Sequence, residues 1–371
     1  MFINPNSAIT TKLIETESGF LKKFNLVDSS IVEYQHEIPQ SCNLIPSHQS
    51  VRYPQSAVAL ETIEDAVIVC AHRTVVAYYP DGRPVASCQI GNKERASRIK
   101  STRKRLELKG NMVLFTPLAP ECYYHWLIDT VPGLEVLKAA DVSLDNIDYF
   151  YFSNYCQKFQ TDTLTKYEID SSKVFSTFSD INHTEEKLLH ARVDKLFIPR
   201  FRDLQGRWPN KWIAPKLQAH FGANRYWSSD KGDLRKIYIT RGKSRRKVIN
   251  EHELLPFLTN EGFQVIDAAN LSFEEQIETV ASADVICGPH GAGLANSIFA
   301  QPGTTLIELC GAYLTGHFRI IAEIAGLNYH AFSAGVDRQG RPLAVSSEVS
   351  VRSDDYFVDI EQVKSQISAL I

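Results

Sequence analysis

The sequence predicts an α/β protein whose C-terminal half is a parallel, Rossmann-like sheet. Two observations carry that expectation. Between Arg235 and Phe332, five short β-type runs alternate with four helical ones, the pattern of strands joined by crossover helices. Inside that alternation Ala283–Leu309 reads ADVICGPHGAGLANSIFAQPGTTLIEL, which is strand, glycine loop, short helix and strand in succession.

A chain of 371 residues favours two domains over one core. The expected division is an N-terminal domain over residues 1–222, a nucleotide-binding domain over 223–345, and a closing segment over 346–371. The chain is 44% hydrophobic and 22% charged, ordinary for a soluble globular protein. A net charge of −3 argues against a dedicated nucleic-acid binder. The first residues, MFINPNSAITTK, lack the basic start and apolar run of a signal peptide, and no run approaches membrane-helix length. Seven cysteines at irregular spacings, with no C-x-x-C pair, fit a reduced cytoplasmic setting.

Taken in order, residues 1–50 give no assignable element. A β-rich segment covers about 50–116. Its runs Ala57–Glu61, Ala66–Cys70, Thr74–Tyr79 and Val85–Ile90 suggest an antiparallel meander, with Pro80-Asp81-Gly82 as a turn. The basic stretch 93–109 follows. It is either a solvated helix face or mobile loop, or a contact for an anionic acceptor or the inner face of a membrane. After a strand near Asn111–Thr116 comes ECYYHWLIDTVPGLEVL, Glu121–Leu137, in which Asp129 lies one helical turn beyond His125. Pro132 ends or kinks that helix. Strands at Ile147–Phe152, Lys173–Phe178 and Leu189–Ile198 and a helix at Tyr155–Glu168 come next. Pro199–Asn210, with Arg200, Arg202, Arg207 and Trp208, reads as a loop. A helix at Ile213–Phe221 precedes the expected linker Gly222–Asp233.

In the C-terminal half, Lys236–Thr240 is a strand, and Asn250 with Glu253 resembles a capping box for the next helix. Gly262 ends that helix before the strand Phe263–Ile266. Ser272 and Glu275 cap another helix through Ser282, and a later helix spans His317–Ala325 before the strand Leu327–Phe332. Asp359–Leu370 reads as a closing helix. Ligands of such sheets bind beyond the carboxyl ends of the strands. Two unusual loops leave strands at that edge: Thr240–Lys247, reading TRGKSRRK, and Gly288–Gly293. Paired cations and a helix start are what a diphosphate needs. Glu308, at the end of the following strand, is positioned for ribose hydroxyls. No Walker loop and no H-E-x-x-H or D-x-D motif occurs, so no metal is expected to be required. Gly291-Ala292-Gly293 lacks the third glycine of a dinucleotide fingerprint.

The set H-W-L-I-D-x-x-P at 125–132, R-x-x-x-x-R-x-x-x-N-E at 241–251, S-F-x-x-Q at 272–276, H-G-A-G-L-x-N at 290–296 and I-E-L at 307–309 resembles the family 61 glycosyltransferases. The likeness spans about 120–310. It implies a GT-B arrangement, two Rossmann-like domains facing across a cleft, with the β-rich segment added at the N-terminal side. It further implies inverting transfer from a nucleotide sugar, most simply a UDP-sugar. Bacterial capsular polysaccharide proteins belong to that family. The lack of a visible leader or anchor fits such a cytoplasmic enzyme, acting on a glycan or a lipid-linked glycan.

An inverting transfer needs a base at the acceptor hydroxyl and positive potential at the leaving diphosphate. His125 is the first candidate base, since imidazole titrates near neutrality, and Asp129 either orients it or is itself the base. Tyr124 and Trp126 are candidates for stacking on acceptor sugars. Arg241, Arg246, His290, Gly291, Ala292, Gly293, Asn296 and Glu308 are the expected donor residues. Beside the transferase stand two alternatives: an NAD(P)-dependent Rossmann enzyme, and a non-catalytic transferase-like scaffold.

Overall fold

The computed structural model describes residues 12–15, 21–27, 30–34, 51–55, 57–115, 119, 121–179, 185–202, 209–228, 234–242, 244–313, 315–343 and 354–371. Arg207, Trp208 and Lys243 lie outside the described residues, as do residues 346–353 of the expected closing segment. The chain divides into two compact units, Met1–Ile31 with Pro54–Ile213 and Val32–Tyr53 with Ala214–Ile371.

The first unit is built on one nine-stranded sheet. Its strands are β1 (Lys12–Glu15), β2 (Leu21–Val27), β5 (Val58–Ala71), β6 (Thr74–Tyr78), β7 (Pro84–Ile90), β8 (Leu106–Leu114), β9 (Tyr149–Asn154), β10 (Val174–Phe178) and β11 (Leu189–Arg200). A short pair, β3 (Ser30–Tyr34) and β4 (Val51–Gln55), stands apart from it. The order is β1-β2-β5-β11-β8-β9-β10, with β6 and β7 continuing from β5, so the β-rich segment of about 50–116 shares one sheet with the strands that follow it. The two runs expected at 57–61 and 66–70 form one strand, β5, exposed only at Glu64 and Asp65. Strand β11 pairs antiparallel with β5 from Leu189↔Cys70 to Arg200↔Ala59, and parallel with β8 on its other side. One strand therefore joins an antiparallel meander to the parallel ladder β8-β9-β10. Ile63, Ile68, Met112, Leu114, Tyr151, Leu196 and Ile198 fill the core along this seam.

The basic stretch resolves into helix α1 (Lys93–Thr102) and the start of β8. Asn92 caps α1 by accepting from the Arg95 amide, and Ala96 and Ile99 bury its inner face against Val67, Val69, Val76 and Tyr78. Arg95 pairs with Glu186, and the Lys100 ammonium lies 3.9 Å from the Tyr78 ring centre. Lys93, Arg98, Arg103 and Lys104 remain exposed.

Between β8 and β9 run α2 (Tyr123–Asp129) and α3 (Pro132–Ala139), and α4 (Lys158–Lys166) links β9 to β10. Proline at the first position of α3 has no N–H to lose there, which fits a break between two helices rather than one kinked helix. Gly133 lets α3 sit close to the sheet: a Cβ there would come within 2.7 Å of the Phe115 ring.

The second unit contains a five-stranded, wholly parallel sheet of β12 (Lys236–Ile239), β13 (Phe263–Ile266), β14 (Val285–Pro289), β15 (Thr305–Cys310) and β16 (Asn328–Ser333). Its order, β13-β12-β14-β15-β16, reverses between β12 and β14. Around it lie α5 (Ile213–His220, of which Ala214 onward belongs to this unit), α6 (Glu251–Asn260), α7 (Phe273–Ala281) and α8 (His317–Ala325). The pair β17 (Gly335–Val336) and β18 (Phe357–Val358) and the helix α9 (Ile360–Ser368) complete it. The expected capping box of α7 forms, with the Ser272 hydroxyl accepting from the Glu275 amide and the Glu275 carboxylate from the Ser272 amide. The one at α6 does not. Asn250 instead turns its side chain to β18, donating to the Val358 carbonyl at 3.0 Å and accepting from its N–H at 2.9 Å. A carboxamide that meets a strand backbone with both its donor and its acceptor ties the C-terminal segment to the start of α6. Among the described residues no helix is long and apolar enough to cross a membrane.

Candidate active site

In the first unit the chemistry gathers at the end of α2. His125 and Asp129 share one helix face, and His125 Nδ1 stands 2.6 Å from Asp129 Oδ2. The same oxygen receives Arg202 Nη1 at 3.1 Å, from the segment just beyond β11. Asp129 is 4% exposed and Arg202 16%, whereas His125 keeps 26% of its side chain open. A buried carboxylate is tolerable when charged donors meet it, and the guanidinium beside Asp129 favours its ionised form. An ionised carboxylate only accepts, so the proton of this contact resides on His125 Nδ1. Nε2 is the other ring nitrogen of His125. Asp129 is thereby placed one turn from His125 and against Arg202.

The sequence places Arg202 only in a loop. It lies 73 positions beyond Asp129 in the chain, and no local spacing rule links the two.

Tyr124 and Trp126 are placed differently from the expected sugar-stacking roles. Trp126 is wholly buried; its Nε1 donates to Thr163 Oγ1 at 3.1 Å, and its ring packs on Phe152 at 5.0 Å between centroids. Trp126 is thus taken up by the sheet through Phe152 of β9. Tyr124 is 5% exposed and sets its ring edge-on to His125 at 5.3 Å. Burial, then the neighbouring Asp129 charge, pushes the Tyr124 phenol well above its ordinary value, with Arg202 opposing. It is a neutral wall for His125, not an exposed platform.

In the second unit the loops after β12 and β14 meet where the strand order reverses, the place where open parallel sheets bind ligands. Arg241 leaves β12, donating from Nε to the Arg245 carbonyl at 2.6 Å and from Nη1 to the His290 carbonyl at 3.0 Å. Its guanidinium rests on Gly291, where a Cβ would fall 1.4 Å from Nη1. This explains the first glycine of H-G-A-G. Gly291 has an extended backbone, φ −176°, so close approach rather than a special dihedral selects it. Arg246 adopts the left-handed region at φ 62° and places its guanidinium 5.1 Å from the Tyr313 ring centre. Both cations act on Tyr356, whose phenol burial drives upward while Arg241 and Arg246 pull it down. Glu251, the last residue of the arginine motif, anchors the loop base by accepting from Tyr238 Oη at 2.9 Å and Thr240 Oγ1 at 2.7 Å.

The remaining donor candidates are brought to the same region, with changed roles for some. The helix expected after the glycine loop is a 3-10 helix, Ala292–Phe299, whose residues from Leu294 onward are buried. Asn296 is 1% exposed and donates to Gln276 Oε1 at 2.9 Å and the Gly293 carbonyl at 3.2 Å, so the S-F-x-x-Q and H-G-A-G-L-x-N motifs meet there. Asn296 thereby braces the loop. Glu308 is wholly buried; one oxygen pairs with His290 Nδ1 and the other with the Tyr329 hydroxyl. The carboxylate therefore serves His290 rather than open ribose hydroxyls. His290 is also flanked edge-on by Tyr313 at 5.3 Å and Phe318 at 5.1 Å. Among the described residues no group of three or more His, Cys, Asp or Glu side chains is arranged to hold a metal ion.

Residues 123–307, about half of the chain, match the family model described as Glycosyltransferase 61. The chain is 32% identical over 123 residues to a β-1,2-xylosyltransferase of Arabidopsis thaliana, covering 29% of this chain and 23% of that protein. It is 32% identical over 141 residues to the α-1,3-arabinosyltransferase XAT3 of Oryza sativa subsp. japonica, covering 36% and 23% respectively. Against an EGF domain-specific O-linked N-acetylglucosamine transferase of Drosophila melanogaster it is 28% identical over 102 residues, 27% and 20% of the two chains. The matches span about a fifth to a quarter of the length of these relatives. They place this chain among the glycosyltransferases. Its family is glycosyltransferase 61.

Proposed function

We propose that the chain is an inverting glycosyltransferase that moves a sugar from a UDP-sugar to a hydroxyl of a glycan or lipid-linked glycan. The observation that carries this reading is the Asp129 oxygen shared by His125 Nδ1 and Arg202, which supports His125 as the base through Nε2. In the proposed step, His125 Nε2 takes the acceptor hydroxyl proton as that oxygen forms its bond to the anomeric carbon. The bond from that carbon to the diphosphate oxygen breaks on the opposite face, and the electron pair leaves with UDP. Attack and departure on opposite faces invert the sugar carbon. Arg241, Arg246 and His290 supply the positive environment for the departing diphosphate, and no metal is required. The GT-B organisation and a role in bacterial surface or capsular polysaccharide synthesis, at the cytoplasmic side, are part of this proposal.

Thermal stabilisation by a panel of UDP, GDP, CMP, ADP and NAD, with and without EDTA, tests the donor and metal parts together. A ligand at a hundred times its dissociation constant adds about 2.7 kcal/mol, readily seen as a melting shift. The expected result is a shift with UDP that EDTA leaves unchanged. A shift seen only with magnesium or manganese removes the metal-free part, and a shift confined to NAD removes the proposal.

A further inference from the structure

We propose that Glu308 is a positioning residue of the donor site. It holds a proton on His290 Nδ1, reserving Nε2 for the diphosphate, and its charge permits His290 to meet that diphosphate as an imidazolium. The inference rests on the proposed donor role of the second unit and goes beyond it, because Glu308 touches no ligand.

The backbone creates the pair. Strands β14 and β15 run parallel with Gly288↔Glu308 and Pro289↔Leu309 in register, and the His290 amide extends the ladder by bonding to the Leu309 carbonyl at 2.9 Å. His290 is thus the first residue past the strand, next to the one carboxylate β15 carries. Glu308 is 0% exposed, and a carboxylate so buried demands strong donors on both oxygens. Tyr329 from β16 provides one. Burial, and next the Glu308 charge itself, drives that phenol well above its ordinary value, so it remains a donor. The other oxygen is left for His290 Nδ1–H. An imidazole with Nδ1 protonated has only Nε2 as its variable nitrogen, and no described residue hydrogen-bonds it. The ring retains 5% of its surface open.

The charges around the ring explain why the carboxylate is needed. Arg241 binds the His290 carbonyl, Arg246 lies over Tyr313, which itself stands edge-on to His290, and Arg319 of α8 acts on Tyr329 while pairing with Glu323. Glu308 is the carboxylate that meets the ring among these cations. With Glu308 beneath it and a diphosphate above, the imidazolium stands between two anions and donates from Nε2 to a phosphate oxygen. The arrangement matches the general device in which a carboxylate on one ring nitrogen sets the tautomer of a histidine working through the other.

The test uses the full-length protein with 15N-labelled histidine and inorganic pyrophosphate as the probe. In the wild type, one imidazole, identified by its loss in His290→Asn, is expected to show a protected, strongly deshielded Nδ1 proton. Pyrophosphate should bring its Nε2 into the protonated form. Glu308→Gln keeps the shape and removes the charge. It should lose the Nδ1 signature and bind pyrophosphate about tenfold or more weakly, the scale on which such orienting partners act. Should that variant not fold, Tyr329→Phe retains the carboxylate with one donor fewer, and a few-fold loss of affinity is expected. The role of Glu308 is overturned if Glu308→Gln binds pyrophosphate as tightly as wild type, or if free wild-type His290 carries its proton on Nε2. Wild-type protein that shows the Nδ1 proton yet binds no pyrophosphate instead overturns the donor reading of this unit.

Discussion

His125→Ala is expected to abolish glycosyl transfer while leaving UDP binding intact. A positioned general base contributes about 10²–10⁴-fold to rate, and the variant should lose turnover on that scale. The proposed donor residues lie in the second unit, so the melting shift produced by UDP should match wild type. Asp129→Asn is the informative companion. It removes the charge that holds His125 Nδ1–H, and it also leaves Arg202 without its carboxylate partner. Transfer should fall steeply there too, with a lower melting temperature that His125→Ala does not show, because a buried guanidinium pair is broken. Steady-state transfer assays and melting curves on the two variants separate the roles. Normal turnover in His125→Ala would remove the histidine from the mechanism.

The second large effect is expected at Arg241. A charged hydrogen bond contributes roughly 1.5–3 kcal/mol, so Arg241→Ala should weaken UDP binding about ten- to a hundredfold. Lysine should not restore it, because the guanidinium bonds two carbonyls in fixed directions, through Nε to Arg245 and Nη1 to His290, and an ammonium lacks that fork. Gly291→Ala attacks the same point from the other side. Its methyl group would occupy the place of Arg241 Nη1, displacing the guanidinium without deleting it. Titration calorimetry with UDP should therefore show comparable losses for Arg241→Ala and Gly291→Ala. Wild-type affinity in both would mean that the diphosphate binds elsewhere.

How much of this was legible in the sequence varies with the range of the interactions. The parallel sheet of the second unit was, because each strand and helix there carries its own signals: the capping box at Ser272, the terminating Gly262, the apolar runs. The pairing of His125 with Asp129 was legible for the same reason, as it lies within one helical turn. What the sequence did not disclose depends on distant parts of the chain. The merging of the meander with the parallel ladder requires β11 to pair with β5, more than a hundred residues earlier. Arg202 reaches Asp129 across the fold, and Glu308 turns inward to His290 and Tyr329 instead of outward. Asn250 shows the same limit, because the partner it takes is Val358, 108 positions away. Its position at a helix start suggested a cap, yet the backbone of β18, brought there by the C-terminal segment, offered it two bonds instead of one. Trp126 and Tyr124 look like sugar platforms in a motif, and burial decides against it.

The most direct measurement is the anomeric configuration of the transferred sugar, read by NMR from a reaction of the purified protein with an α-linked UDP-sugar and an oligosaccharide acceptor drawn from surface polysaccharide. The account predicts a β-linked product, formed in the presence of EDTA. An α-linked product would contradict a single displacement with His125 as base, and donor left unconsumed across the UDP-sugars would contradict the transferase itself.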